Sequence, residues 1–299
     1  MSIPKLTETE IAGLCPQFTN IAEIAQGGFK TVYKAEINGV KEVIKSVAIP
    51  DADGSDDKDR YRDECVRRVE REVRILEQCQ SPFLVKTGAL PLKSHAVGEH
   101  DYVLYSEEFL DGSDLWKTLR SSTNRPTEAE ARMLLKCLLL AIKEMWELRV
   151  VHRDIKPCNV MMLSDPCRPF VLLDLGIAFS LIETGLTHNA AFRGPLATYR
   201  YLAPEMGDPN FRSNLDFRAD LYTSGLTVFE YTTGQHPIAH DSDDAIRTVT
   251  RALHQAPRSL GTLRPDFSKE FSALIDQLLK KKPALRPSNL ARLIAFLES

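Results

Sequence analysis

Nine residues, His152-Arg153-Asp154-Ile155-Lys156-Pro157-Cys158-Asn159-Val160, hold a carboxylate, an ammonium two positions on and a carboxamide five positions on. A second carboxylate, Asp174, lies fourteen residues past Val160, behind an apolar segment. Carboxylate and carboxamide oxygens suit a hard divalent cation, and a lysine can offset developing negative charge. Such a set could position an anionic group and neutralise its charge. A plain polar surface loop would explain the first stretch alone. It does not explain why Asp174 and then Ala203-Pro204-Glu205 follow in order.

These groups need elements to hold them. Pro126-Thr127-Glu128-Ala129-Glu130 reads as a capped helix start. The helix it opens runs to about Leu148, with Leu134, Leu135, Leu138 and Ile142 on its apolar side, and delivers the chain into the 152–159 loop. Nearer the start, Thr7 and Glu10 form a capping box for a short helix that Pro16 stops. That helix is expected on the outside of its domain. Thr31 to Ile37 and Val40 to Ile44 read as strands around an Asn38-Gly39 hairpin. From about Asp57 to Gln78 the pattern is helical, with Val66, Val69, Val73 and Leu76 on one stripe. Tyr102 to Phe109 alternates apolar and polar residues like a strand.

The 299 residues, 43% hydrophobic and 26% charged, suit a soluble globular chain large enough for two lobes. A net charge of −3 gives no reason to expect nucleic acid or an anionic membrane as partner. No apolar run approaches the roughly 20 residues of a membrane span, and the first residues lack a secretory apolar core. The six cysteines form no Cys-x-x-Cys pair and read as reduced thiols, so a cytoplasmic protein is expected. Asp51 to Asp57 reads as a solvated acidic loop.

The nine-residue stretch resembles the catalytic loop of eukaryotic-type serine/threonine protein kinases, H-R-D-x-K-x-x-N. Leu173-Asp174-Leu175-Gly176 resembles their D-F-G motif, with leucine for phenylalanine. Glu42-Val43-Ile44-Lys45 stands where the family has V-A-I-K, and Asp220-Leu221-Tyr222-Thr223-Ser224-Gly225 resembles D-x-W-S-x-G. The resemblance covers about residues 20 to 297. It implies an α+β, bilobal protein-kinase fold. Residues 20–110 would form a small β-rich N-lobe with one key helix, 111–299 a larger α-helical C-lobe, and 1–19 an N-terminal extension. ATP and Mg²⁺ would lie in the cleft.

By the same resemblance, Asp154 accepts or orients the substrate hydroxyl and Lys156 stabilises the transferring γ-phosphoryl group. Asn159 and Asp174 hold Mg²⁺. Lys45 contacts the ATP phosphates and pairs with Glu72, while Glu70, two positions away, faces elsewhere on the helix. Gly27 and Val32 match the glycine-rich loop, from which Ala25 and Lys30 depart. Glu108 and Leu110 face adenine, and Asp114 lies near the ribose. Register puts Glu107 at the gatekeeper, and a one-residue slip would put Ser106 there. Val43 replaces the usual alanine of the adenine pocket. Lys156 and the segment Ala197 to Glu205 imply serine/threonine specificity, with Thr198 contacting Asp154 and Lys156. Arg153 implies control by a phosphorylated threonine in the activation segment, Thr187 being favoured over Thr184. Arg193 and Arg200 are further phosphate partners or solvated charges. Asp220 would bind the catalytic-loop backbone, and Arg286 would pair with Glu205. Cys158 reads as a neutral filler sooner than a redox-sensitive thiol.

The reading is therefore a kinase acting on protein substrates, with autophosphorylation and a regulatory partner or self-association as the route for signals. Two others compete. The departures at Ala25, Lys30, Val43 and Glu107 suit a pseudokinase acting as an interaction module. A small-molecule phosphotransferase is the third, against which the Ala203-Pro204-Glu205 platform weighs.

Overall fold

The computed structural model describes residues 5–27, 30–50, 56–121, 124–175, 179–180, 199–208, 211 and 215–298. Two compact units are present. One comprises Met1–Cys79 with Val85–Leu110, the other Gln80–Leu84 with Asp111–Ser299.

The first unit is built on a five-stranded antiparallel sheet of order β1-β2-β3-β5-β4. The strands are β1 (Thr19–Gln26), β2 (Lys30–Ile37), β3 (Val40–Ile49), β4 (Lys93–Val97) and β5 (His100–Glu108). Asn38 and Gly39 join β2 to β3 with φ of 52° and 79°, the left-handed pair that a two-residue hairpin requires. β3 runs five residues beyond Ile44, the expected end. Lys45 and Ser46 interrupt its apolar pattern, yet both are buried.

Helix α1 (Glu8–Leu14) has the Thr7–Glu10 capping box in full. It packs on the outside of its domain with its apolar side turned to the sheet. Leu6, Ile11, Cys15 and Phe18 pack with Tyr33, Ala35, Ile44, Ala48, Tyr102 and Leu104 on one face of the sheet, and Ile11 is fully buried. Four apolar side chains would otherwise stay wet, and their burial favours docking. On the opposite face, α2 (Asp56–Gln78) packs Val69 and Val73 against Val47, Ile49, Val103 and Tyr105. The sheet thus sits between two helices.

The second unit is mainly helical. α3 (Leu115–Ser121) precedes α4 (Glu128–Glu147), whose Thr127–Glu130 capping box is present and whose Leu134, Leu135, Leu138 and Ile142 are buried. α5 (Arg218–Thr233) is buried on every side from Ala219 to Thr232, which marks it as the central helix. Its Thr223, Thr227 and Thr232 hydroxyls donate to carbonyls three or four residues back, so they need no water. Small strands β6 (Gly112–Asp114), β8 (Val160–Leu163) and β9 (Phe170–Leu172) form one sheet, and β7 (Val150–Val151) pairs with β10 (Phe179–Ser180).

Arg286 is a fixed point of this unit. Its guanidinium pairs with both Glu205 oxygens at 2.6 and 2.8 Å. Its remaining N–H groups donate to the carbonyls of Lys280, Arg218 and Lys281. All five donors are thereby used while the residue is 3% exposed. Arg286→Ala leaves the Glu205 carboxylate and three carbonyls without their partner, an expected loss of about 3–5 kcal/mol. The check is thermal or denaturant unfolding, and a midpoint equal to wild type would contradict it.

Candidate active site

In the second unit, α4 ends at Glu147 and β7 leads straight into His152. The loop from 152 to 159 is tied to α5 by Asp220. One Asp220 oxygen accepts the His152 N–H at 2.8 Å, the other the Arg153 N–H at 2.8 Å. Asp220 is fully buried, which pushes its pKa up, while His152 and the two backbone donors oppose that shift. The Thr227 hydroxyl on the same helix reaches the Ile155 carbonyl at 3.4 Å.

Held this way, the loop concentrates its polar groups. Lys156 Nζ lies 2.8 and 2.7 Å from the two Asp154 oxygens. Asn159 donates both hydrogens of its amide to Asp154, to the main-chain carbonyl at 2.9 Å and to Oδ2 at 3.0 Å. That assignment leaves Asn159 Oδ1 as an acceptor, approached by the Cys158 thiol at 3.8 Å. Burial pushes the Asp154 pKa up, the Lys156 ammonium and its hydrogen bond pull it down, and Asp174 adds an upward push. Burial also pushes the Cys158 thiol up to about 11, so it is no thiolate at neutral pH although the residue is exposed.

His152 joins this loop to the one that carries Asp174. Its Nδ1 accepts the Asp154 N–H at 3.2 Å, so the ring proton sits on Nε2, which donates to the Leu173 carbonyl at 3.1 Å. The Leu173 N–H in turn donates to the Asn159 carbonyl at 2.8 Å. Asp174 and Arg153 have φ of 59° and 72°. Such left-handed backbone costs a non-glycine residue about 1–3 kcal/mol and persists only where neighbours impose it. The neighbours here are Asp220, His152 and Asn159.

The first unit carries a separate charge cluster. Lys45 on β3 and Glu107 on β5 are diagonal neighbours on one sheet face, since Lys45 lies opposite Tyr105 and Val43 opposite Glu107. Lys45 Nζ is 2.5 Å from Glu107 Oε1 and 3.6 Å from Glu72 Oε1 on α2. Glu72 Oε1 also lies 3.5 Å from Lys30 Nζ and accepts the Tyr105 hydroxyl at 3.0 Å. Lys45, Glu72 and Glu107 are 7, 2 and 3% exposed. Burial pushes the Glu107 pKa up, Lys45 lowers it, and Glu72 raises it further.

The protein kinase domain model matches residues 18–295. The chain belongs to the eukaryotic-type serine/threonine protein kinase family. It is 31% identical over 268 residues to the serine/threonine-protein kinase PknJ of Mycobacterium tuberculosis, covering 88% of this chain and 42% of that protein. To PknH of the same species it is 30% identical over 262 residues, 87% of this chain and 38% of that protein. To the dual specificity mitogen-activated protein kinase kinase mek-1 of Caenorhabditis elegans it is 34% identical over 140 residues, 47% of this chain and 37% of that protein. The chain thus spans about two fifths of the length of these curated relatives.

Within this kinase fold the expected residues distribute as follows. Asp154, Lys156 and Asn159 converge on one loop, and Asp174 follows through Leu173. Arg153 and Asp220 meet through the backbone, and Glu205 meets Arg286. The Gly27 N–H donates to the Lys30 carbonyl at 2.7 Å, closing the β1–β2 turn, and Val32 lies opposite Lys45. Lys30 is drawn to Glu72. Glu107, not Ser106, shares the Lys45 face, whereas Ser106 lies on the α1 side with Glu42. Glu108 is turned back on the Lys86 N–H at 2.7 Å, and Leu110 is half-buried. Asp114 caps α3 through the Lys117 N–H at 2.8 Å. Arg200 pairs with Asp241 at 2.8 Å. Thr184, Thr187, Arg193 and Thr198 lie outside the described residues.

Two roles had no signal in the motifs. Glu42 is buried and accepts from the Ala89 N–H and the Ser106 hydroxyl, pinning the chain before β4. A methyl group on Gly88 would meet Glu42 Oε2 at 2.3 Å and Ser106 Oγ at 2.4 Å, so a side chain there would have to displace this hydrogen-bonded pair. The double bridge of His152 is the other. His152→Ala removes both hydrogen bonds from a fully buried position, with an expected loss of about 2–4 kcal/mol, read from the denaturant midpoint. An unchanged midpoint would show that the bridge carries no stability.

Proposed function

We propose that the chain transfers the γ-phosphoryl group of ATP to serine or threonine hydroxyls of protein substrates. The observation that carries this reading is the convergence of Asp154, Lys156 and Asn159 on a loop fastened to α5 and joined to Asp174. Asp154 accepts or orients the hydroxyl proton. Burial raises its pKa above that of a surface aspartate, and the Lys156 ammonium pulls it back down. Lys156 also stabilises charge on the transferring group. In the first unit, Lys45 serves the ATP phosphates.

The donor set fits Mg²⁺. This ion takes one or two protein oxygens and completes its shell with phosphate and water. Asn159 Oδ1 and the Asp174 carboxylate are such oxygens, and among the described residues no cluster of three His, Cys, Asp or Glu offers a full protein cage. When bound, the metal would neutralise phosphate charge. The serine/threonine names of PknJ and PknH support the substrate class. A phosphorylated Thr187, recognised by Arg153, is the proposed switch. No helix among the described residues is long and apolar enough to cross a membrane.

The test is incorporation of labelled phosphate from ATP and Mg²⁺ into the chain itself or a generic acceptor, with phosphosite mapping. Wild type is expected to label serine or threonine, and Asp154→Ala is expected to lose at least a hundredfold. ATP binding without any phosphate incorporation in wild type would favour the interaction-module reading instead.

A further inference from the structure

The kinase resemblance pairs Lys45 with Glu72 and puts Glu107 at the gatekeeper, but it gives that carboxylate no part in the lysine's pairing. Its position is nevertheless specific. Register places it two residues along β5 from the residue opposite Lys45, on the face that α2 covers. It is 3% exposed, and the Lys45 ammonium lies 1.1 Å nearer to it than to Glu72, from 3.6 and 2.5 Å. Glu72, for its part, also serves Lys30 and Tyr105. Among the described residues the ion pairs of this cluster join two ammonium groups to two carboxylates.

That pairing has a cost for an incoming anion. A triphosphate that engages Lys45 must share or displace the Glu107 carboxylate. Glu107 is then left as a buried charge with a weakened partner, or must take up a proton. Its negative charge also opposes the phosphates directly. Glutamine in its place has the same shape and no charge. It would leave Lys45 paired with Glu72 alone and more open to phosphate.

We propose that Glu107 is a positioning residue that holds Lys45 inward and thereby lowers the affinity of this chain for nucleotide triphosphate. The proposal rests on the reading that Lys45 serves ATP. It makes the glutamate at this position a restraint on nucleotide loading, set by an internal carboxylate competing for the lysine.

Two measurements on wild type, Glu107→Gln and Glu107→Met test it, with thermal unfolding to confirm that each variant is folded. The first is the rate at which acetic anhydride modifies Lys45, followed by mass spectrometry. Loss of the nearer carboxylate frees the ammonium from its 2.5 Å partner and leaves only the longer contact to Glu72, so both variants should be modified several-fold faster. The second is Mg-ATP titration together with KM and kcat. Both variants should bind Mg-ATP about tenfold more tightly, with the change in KM rather than kcat. Unchanged or slower modification of Lys45 would overturn the proposal, as would equal or weaker Mg-ATP binding by the variants while wild type binds. If neither wild type nor variants bind Mg-ATP, Lys45 does not serve a nucleotide and the kinase reading falls with the proposal. Binding by the variants alone would support it most strongly.

Discussion

A buried carboxylate whose two oxygens are occupied by backbone N–H groups acts as a clamp, and Asp220 is that clamp here. It sits on α5, a helix closed to water along nearly its whole length. From this rigid base it fixes the backbone of His152 and Arg153, the two residues that enter the Asp154 loop. Arg153 can then hold a φ of 72° despite its side chain. His152 passes the constraint on to Leu173, and Asn159 to both Asp154 and Leu173. Without the clamp these short-range bonds would have to order the loop against its own entropy. With it, Asp154, Lys156 and Asn159 keep their geometry before any ligand arrives, which is the preorganisation that electrostatic catalysis requires.

The first unit manages charge in another way. Its sheet buries Lys45 among Glu72, Glu107, Tyr105 and, through Glu72, Lys30. Burial of so many charges is tolerable because they neutralise one another. On the opposite face Glu42 plays an architectural part, accepting from the Ala89 N–H and the Ser106 hydroxyl. One carboxylate of this sheet therefore shapes a loop, while another competes for a lysine, and only strand register separates the two.

Register also explains what could and could not be read from the amino-acid order. The Asp154 loop lies within eight residues, so its grouping of carboxylate, ammonium and carboxamide is legible in the sequence. Both capping boxes and the Asn38-Gly39 hairpin are local for the same reason, and they form as expected. The Glu205–Arg286 pair is long-range, yet each partner lies in a recognisable motif. The closeness of Glu107 to Lys45 is different. It depends on which residue of β5 faces Val43 on β3, and a slip of one residue exchanges Glu107 for Ser106. The partners of α1 were likewise hidden, since its apolar residues complete a face supplied by β2, β3 and β5. Glu42 gives no warning of its burial, because a glutamate in a strand usually faces water.

Amide hydrogen exchange of the nucleotide-free protein tests the clamp most directly. The His152 and Arg153 N–H groups should exchange as slowly as the interior amides of α5, because each is locked to a buried carboxylate on that helix. Exchange at the rate of an open surface loop would contradict the account. It would mean that Asp154, Lys156 and Asn159 are not held in place before a ligand binds.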